Sequence, residues 1–248
     1  MGCNDFCAVS NPMTNENAQF VFDAIAADYD RFNRLFSFGI DRWWRRKLVE
    51  MVRPHPHQQI LDLCCGTGEV VFSFLRHSLV RTVAGADISE AMIDFAIEKQ
   101  IQYSTKPWMQ NKSLAWHVCD AAQTGLAAGS FDIITCAFGL RNISDCSAVL
   151  NEMRRLLKPK GKLGILEFAL PSHPLAGKVY DFYLNRLMPH LAKPVLGASD
   201  PVRYLADSIR RWHNTVDFAG QLDKAGFKLI CKTPLTAGIA ALWLAHSQ

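Results

Sequence analysis

Residues 61–69 read LDLCCGTGE, an apolar run with the acid Asp62 at its end, followed by a turn that carries Gly66 and Gly68. Thr67 separates the two glycines. A turn of this kind lets the backbone approach a nucleotide-like ligand where a strand ends and a helix begins. The stretch therefore predicts a strand–turn–helix unit with a ligand site at the carboxyl edge of a sheet.

Two further acids end the apolar runs that follow. Asp87 closes VAGAD at 87 minus 66, or 21, positions after Gly66, where a carboxylate would meet ribose hydroxyls. Asp120 closes LAWHVCD, and Ser89 is expected to cap the helix after Asp87. Acids at successive strand ends favour a nucleoside that carries positive charge.

A dinucleotide site is the main competitor. Its G-x-G-x-x-G pattern fails because Val71 stands where the third glycine would let the helix pack on the strand. Asp62 also disfavours phosphate, since an acid beside the loop repels an anion. S-adenosyl-L-methionine, which has an amino group and a sulfonium, fits the acids better.

Short apolar runs alternate with helical patterns along most of the chain, which is typical of a parallel sheet. The predicted fold is α/β, a Rossmann-like open, mostly parallel seven-stranded sheet with helices on both faces. We expect a disordered tail over residues 1–16 and a single domain over 17–248. Within it, residues 17–57 would form a helical arm, and residues 170–214 a helical insertion after strand 5.

Composition fits an ordinary globular protein, with 49% hydrophobic and 20% charged residues in 248. The net charge of +4 is too small to argue for nucleic acid. Eight cysteines without a C-x-x-C pair suit reduced thiols in the cytoplasm. No metal site is expected, because His55 and His57 stand in a proline-broken loop. A basic cluster near Arg45 could meet an anionic membrane surface, although a solvated helix face is the simpler interpretation.

Several motifs together resemble the ubiquinone/menaquinone biosynthesis C-methyltransferase family, within the class I S-adenosylmethionine-dependent methyltransferases. The resemblance covers almost the whole chain from Val21 onward. The matching segments are YDRFN (29–33), SFGIDRWW (37–44), FGLRN (138–142), LKPKGKLGILEF (157–168), RYLADSI (203–209) and LTAG (235–238).

The resemblance implies that S-adenosyl-L-methionine binds at the glycine turn, with Asp87 on the ribose and Asp120 near the adenine amino group. The expected cofactor-binding residues are Asp62, Gly66, Thr67, Gly68, Asp87, Ile88, Asp120, Ala121 and Ala137. The chain departs from many relatives at Cys64 and Cys65, which replace small residues, and at Ala137, which replaces a serine. Any contact at Ala137 must therefore be made through the backbone.

The resemblance implies that the enzyme methylates a ring carbon of a quinol. An aromatic carbon is a poor nucleophile unless an adjacent phenol has lost its proton, and a phenol ionises only near pH 10. Arg141 cannot act as a simple base because its guanidinium stays protonated. We expect it to stabilise the phenolate, Asn142 to fix the ring or a water, and Tyr29 to orient the second hydroxyl. Loop capping and arm packing are the structural alternatives for these three residues.

The first choice of reaction is methylation of 2-demethylmenaquinol to menaquinol by a cytoplasmic protein peripheral at the inner face of the membrane. The alternatives are methylation of 2-methoxy-6-polyprenyl-1,4-benzoquinol, methylation of another acceptor, and a scaffold protein that binds the cofactor without catalysing a reaction.

The expected partner is a polyprenyl quinol and not nucleic acid; a homodimer and contacts with quinone-pathway enzymes stay open. An apolar mouth for the prenyl tail is expected from Phe32, Phe36, Phe38, Trp43, Trp44, Tyr180, Phe182 and Tyr183.

Overall fold

A computed structural model of the chain describes residue 26, residues 29–190 and residues 200–248. The predicted disordered tail, residues 1–16, lies outside the described residues. So does most of the helix expected between Ala18 and Asp30 at the start of the arm.

Seven strands form one sheet, as the alternation of apolar runs predicts. They are β1 (Gln59–Leu63), β2 (Thr82–Asp87), β3 (Ser113–Val118), β4 (Phe131–Ala137), β5 (Leu157–Phe168), β6 (Phe227–Leu235) and β7 (Ala240–Ser247). The order across the sheet is β3-β2-β1-β4-β5-β7-β6. Strands β1 to β5 pair in parallel, and β7 runs antiparallel between β5 and β6. The carboxyl ends of the five parallel strands consequently share one edge.

Eight helices accompany the sheet in the described part of the chain. They are α1 (Tyr29–Phe36), α2 (Ile40–Val52), α3 (Glu69–His77), α4 (Glu90–Tyr103), α5 (Cys146–Leu156), α6 (Pro174–Phe182), α7 (Asp200–Thr215) and α8 (Phe218–Lys224). A π-helical turn at Tyr183–Leu187 continues α6.

Side-chain caps fix where three of the helices begin. Ser89 Oγ accepts a hydrogen bond from Met92 N, as its position predicts. Asp145 and Asp217 cap α5 and α8 through the backbone N–H groups of Ala148 and Gly220. Each cap satisfies a backbone donor that the first turn of a helix leaves without a partner.

Two hydrophobic cores lie on opposite faces of the sheet. The first packs α2 and α3 on one face, and the second packs α5 and α8 on the other. Side chains alternate along a strand, so Ile60 enters the first core and Leu61 the second. A seven-stranded, mostly parallel sheet with helices on both faces is thereby confirmed.

A third core lies outside these layers and joins the arm to the insertion. It contains Phe32 and Phe36 of α1, Tyr180 and Leu184 after β5, and Ile209 of α7. We call the assembly of α1, α6 and α7 the cap. Residues 170–190 and 200–214, the described part of the expected insertion, are mostly helical and separate β5 from α8 and β6.

The boundary between α5 and β5 differs from the one that the sequence predicts. The sequence pattern indicates a helix from about Asp145 to Lys158, but in the structure this helix, α5, ends at Leu156 and β5 begins at Leu157. Pro159 follows within the strand, and the residue before a proline is biased away from helical geometry.

Candidate active site

The glycine turn is fastened to the end of β2. Asp87 Oδ2 accepts a hydrogen bond from Gly66 N at 2.7 Å, and Asp87 Oδ1 accepts one from Ser89 N at 3.0 Å. These two bonds fix the orientation of the carboxylate. Asp87 is thus held rigidly where β1 and β2 end.

A small cavity of about 80 Å³ lies beside this carboxylate. Six of the predicted cofactor-binding residues line it, namely Gly66, Asp87, Ile88, Asp120, Ala121 and Ala137. Cys64, noted above as a departure from relatives, supplies a less polar part of the wall, together with Met92, Cys119 and Ile143, which the sequence did not indicate as site residues. Two acids facing apolar walls suit a nucleoside, whose sugar and amino groups donate hydrogen bonds while its base needs a flat apolar slot.

The other three predicted cofactor residues, Asp62, Thr67 and Gly68, are not among the residues that line this cavity. Asp62 is buried and accepts a hydrogen bond from Thr135 Oγ1 at 2.6 Å. Strand alternation turns its side chain to the same face as Ile60, toward α2. Burial raises the pKa of the Asp62 carboxyl to about 7. The structure therefore departs from the expectation that a third carboxylate faces the ligand here.

Packing against Trp116 requires a glycine at position 68. Its φ is +80°, and a Cβ added there would lie 2.6 Å from Trp116 Cη2. Trp116 is itself fixed, because its Nε1 donates to Gln100 Oε1 at 2.6 Å.

Thr67 ties the glycine turn to the arm. Its hydroxyl donates to Asp30 Oδ1 at 2.7 Å and accepts a hydrogen bond from Lys99 Nζ at 2.9 Å. Lys99 also forms ion pairs with Asp30 and with Glu69 Oε1, the latter at 2.8 Å. We call Asp30, Thr67, Glu69 and Lys99 the arm tether. It holds α1 over the turn, and Tyr29 Cε1 lies 3.7 Å from where a Cβ on Gly66 would stand.

Arg141 lies just after β4 and is held by Glu167 at the end of β5. Its Nη1 is 3.1 Å from Glu167 Oε1, and its backbone N donates to Glu167 Oε2 at 3.2 Å. Nη1 also donates to the carbonyl of Phe138, and the guanidinium lies 5.1 Å from the Phe168 ring centroid. Both charged side chains are buried, and Arg141 Nε finds no acceptor in the part of the chain the structure describes.

Tyr29 and Phe138 line both the small cavity and a much larger one. Tyr29 forms a side-chain hydrogen bond with Asn33, and burial raises the pKa of its phenol. Asn142 lines the small cavity, and its Oδ1 accepts a hydrogen bond from Tyr204 OH at 2.8 Å. All three predicted catalytic residues thus stand where the cavities meet, Arg141 on the side of the larger one.

The larger cavity, about 630 Å³, lies between the sheet edge and the cap. Phe32, Phe36, Phe38, Trp44, Tyr180 and Tyr183 line it, in agreement with the expected apolar mouth. Trp43 and Phe182 do not, and their side chains are 45% and 63% exposed. A mainly apolar chamber of this size suits a hydrophobic ligand.

Arg45 also lines the larger cavity. The sequence did not identify it as a site residue, because it stands in a cluster of basic residues that suits a solvated helix face. It is buried, and its Nη1 pairs with Asp41 Oδ2. Asp41 also accepts a hydrogen bond from Ser37 Oγ at 2.7 Å, and the guanidinium lies 5.5 Å from the Phe138 ring centroid. The i, i+4 spacing of Asp41 and Arg45 was the available signal. Arg46 and Lys47 of the same cluster pair with Glu50 at the surface.

The described residues offer neither a cluster of metal ligands nor a membrane-spanning helix. They contain no group of three His, Cys, Asp or Glu side chains arranged to hold a metal ion. They also contain no helix with the length and apolar character needed to cross a bilayer.

Comparison with known sequences identifies a family over almost the entire chain. The sequence model of the ubiE/COQ5 methyltransferase family matches residues 11–247. The ubiquinone/menaquinone biosynthesis C-methyltransferase UbiE of Cereibacter sphaeroides (strain ATCC 17029 / ATH 2.4.9) is 35% identical over 222 residues, 90% of this chain and 87% of the relative. That of Cellvibrio japonicus is 37% identical over 225 residues, 90% and 88% of the two chains.

Comparison with solved structures supports the fold alone. The [4+2]-cyclase SpnF matches with a TM-score of 0.66 at 13% identity, covering 94% of this chain and 96% of the other. A putative methyltransferase from Bacillus halodurans matches with a TM-score of 0.58 at 16% identity, covering 82% and 97%. A cyclase and a putative methyltransferase on one fold illustrate that chemistry has to be argued from the site.

Proposed function

Because the chain belongs to the ubiE/COQ5 methyltransferase family, we propose that it methylates a ring carbon of a polyprenylated quinol, with 2-demethylmenaquinol as substrate and menaquinol as product. The observation that carries this proposal is the junction at Tyr29 and Phe138. There an acid-lined cavity meets a far larger apolar one. The first suits a nucleoside and the second a prenyl tail, so their ligands would meet beside Arg141.

The acids of the small cavity fit the cofactor of this family. Asp87 and Asp120 line the cavity as hydrogen-bond acceptors, and their charge complements a cationic ligand. When bound, S-adenosyl-L-methionine supplies a methyl group on a positively charged sulfur. The chain's part is to bind the nucleoside through these acids and to aim it at the larger cavity.

Arg141 would activate the ring by stabilising its phenolate. Glu167 pairs with the guanidinium through one oxygen and accepts from the backbone N–H of Arg141 through the other, so the cation is already in place before the ring binds. Its buried Nε, which finds no acceptor among the described residues, is a donor that a ring oxygen or a water could engage. Tyr29 and Asn142 flank this position and would set the plane of the ring.

The methyl transfer needs no reactant other than the quinol, S-adenosyl-L-methionine and water. As the phenolate carbon forms its bond to the methyl group, the methyl–sulfur bond breaks and its electron pair stays on sulfur. Water takes the phenol proton before transfer and the ring-carbon proton after it, which restores an aromatic quinolate. The quinolate oxygen then takes one proton back from water, so one proton is released overall. Arg141 retains its proton throughout.

The naphthoquinol ring is our choice, and the benzoquinol ring is the alternative. The printed names of the relatives cover both ubiquinone and menaquinone biosynthesis. Both rings present the same hydroquinone to Arg141, so this geometry supports the reaction more strongly than it supports the ring.

The requirement for a reduced ring tests the reaction directly. We expect methyl transfer from labelled cofactor to demethylmenaquinol in detergent, and a rate at least about a hundredfold lower with the corresponding quinone, since the quinone has no phenol to ionise. Equal rates for quinol and quinone would contradict the phenolate mechanism.

The same assay identifies the ring. The 2-methoxy-6-polyprenyl-1,4-benzoquinol is offered alongside at equal concentration, and mass spectrometry locates the added methyl group. A higher kcat/KM for the benzoquinol would replace our choice by the alternative. Methylation of neither quinol, with transfer to another acceptor, would remove the proposal.

A further inference from the structure

The mouth of the larger cavity is bordered by apolar side chains that face solvent. Phe38, Leu175 and Val179 line the cavity and are 69%, 66% and 62% exposed. Ile40 lines it as well and is partly exposed, and Phe182 stands beside it on α6. We call these five residues the rim. Exposed apolar groups this concentrated mark an interaction surface more often than chance.

The rim includes a whole face of α6. Leu175, Val179 and Phe182 follow each other at i, i+4 and i+7, so they form one stripe on the helix. Tyr180 and Leu184 lie on the opposite side, buried in the cap core. The helix is therefore apolar on two faces, and the protein covers one of them.

Phe38 is held outward at a cost to its backbone. Its φ is +50°, a left-handed conformation that bulky residues rarely adopt. Its ring packs on Tyr183 with centroids 5.9 Å apart, which ties the α1–α2 turn to the end of α6. The contact with Tyr183 holds the left-handed turn in place, while most of the Phe38 side chain stays exposed at the cavity mouth.

Basic side chains lie on the same elements as the rim or close to them in sequence. Arg34, Arg42, Lys178 and Arg186 are exposed, and none forms an ion pair with an acid in the described residues. The acids of the same helices are engaged, Asp41 with Arg45 and Asp181 with Arg210. The elements that carry the rim therefore present exposed apolar side chains together with basic side chains that have no acidic partner among the described residues.

From this arrangement we propose that the rim docks on an anionic lipid bilayer. Apolar side chains would enter the boundary between headgroups and acyl chains, and the four basic residues would meet lipid phosphates. The cavity then opens directly into the apolar layer, so a prenyl tail enters without crossing water. The proposal rests on the proposed function for its substrate, and on the rim alone for its surface.

Vesicle sedimentation without any quinol tests the surface. We expect the wild-type protein to bind vesicles of phosphatidylcholine with 30% phosphatidylglycerol at least about tenfold more tightly than pure phosphatidylcholine vesicles. Phe38→Ser with Val179→Ser should weaken binding to both by about tenfold. Lys178→Glu with Arg186→Glu should remove the preference for anionic lipid.

The matched control is Leu79→Ser with Ile101→Ser. These side chains are 75% and 68% exposed but lie at the ends of α3 and α4, at the amino edge of the sheet. The control should bind as the wild type does, and thermal melting checks that every variant is folded. Binding that the rim variants do not change would overturn the proposal. So would self-association in light scattering that the rim variants abolish, because the rim would then bind a second copy.

The two proposals fail separately. Methyl transfer to a quinol without a prenyl tail, measured on the wild-type protein with no vesicles, tests the reaction and not the surface. Transfer in that assay without vesicle binding would remove the rim proposal and leave the proposed function. Vesicle binding without methyl transfer to any quinol would remove the proposed function and leave the rim proposal.

Discussion

Asp62 is buried in the protein core, and this burial raises the pKa of its carboxyl group. Thr135 hydrogen-bonds one of its oxygens, and the other is buried with no partner in the described residues. Burial raises its pKa to about 7 in the folded protein, while an aspartate in an unfolded chain titrates near 4. Folding therefore favours the protonated form, unlike the usual surface acid.

The sign of the resulting pH dependence follows from these two values. Below pH 4 both states carry the proton, so Asp62 has no effect on stability. Between pH 4 and 7 mainly the unfolded state ionises, and the free energy of unfolding falls by up to roughly 4 kcal/mol. Asp62→Asn removes this contribution. Urea unfolding at pH 5 and pH 8 should show the Asn variant gaining stability relative to wild type at the higher pH; an equal difference at both would contradict the prediction.

Asp87 and Arg141 should affect different steps. Asp87→Asn removes the charge that complements the cofactor, so calorimetry should show a Kd at least about tenfold higher. Arg141→Ala removes phenolate stabilisation, so single-turnover rates should fall about a hundredfold or more with little change in cofactor Kd.

Asp132→Asn is the control for both variants. Asp132 is a carboxylate of β4 at the opposite edge of the sheet, where it accepts from Gln59 N and Lys158 Nζ. It should alter neither cofactor Kd nor turnover. If Arg141→Ala weakened cofactor binding while Asp87→Asn slowed turnover, the two roles would have to be exchanged.

At the scale of elements, the turn between β1 and α3 depends on the absence of a side chain at Gly68. Gly68→Ala combines a left-handed φ with a Cβ 2.6 Å from Trp116. Gly129→Ala is the matched control, because its φ is +62° and a Cβ there meets nothing within 4 Å. The control should lose about 1 kcal/mol of stability, and Gly68→Ala roughly 3 kcal/mol or more. Equal losses in thermal or urea unfolding would show that the contact with Trp116 is unimportant.

The elements themselves were largely predictable, since their signals are local. Alternating apolar runs located the seven strands, and Ser89 was identified as a cap from its position after β2. The boundary at Leu156 was less certain because the next residues, Leu157 and Lys158, suit either a helix or a strand. Tertiary pairing with β4 decides for the strand.

The site was only partly predictable, because depth in the fold is not a local property. Asp62 and Asp87 look alike in sequence, each an acid near the end of an apolar run. Asp62 lies one residue before the end of β1 and Asp87 is the last residue of β2. That single position turns one carboxylate into the core and leaves the other at the ligand cavity. The pairing of Arg141 with Glu167, 26 residues apart, likewise emerges only when β4 and β5 lie side by side.

At the scale of the whole molecule, the arm tether connects the cap to the sheet. Lys99→Met removes the ion pairs to Asp30 and Glu69 and should release α1 from the glycine turn. Hydrogen exchange of the α1 amides should then accelerate by about tenfold or more. Lys106→Met is the control, since Lys106 follows α4 and forms no ion pair with the described residues. Unchanged exchange in Lys99→Met would mean that the cap core alone holds the arm.

The position of Tyr29 above Gly66 has a kinetic consequence. Because Tyr29 of α1 covers the glycine turn, we expect S-adenosyl-L-methionine to bind before the quinol and S-adenosylhomocysteine to leave last. The quinol then binds to a complex that already exists. Steady-state kinetics should be sequential and ordered, and S-adenosylhomocysteine should compete with the leading reactant while inhibiting noncompetitively against the quinol.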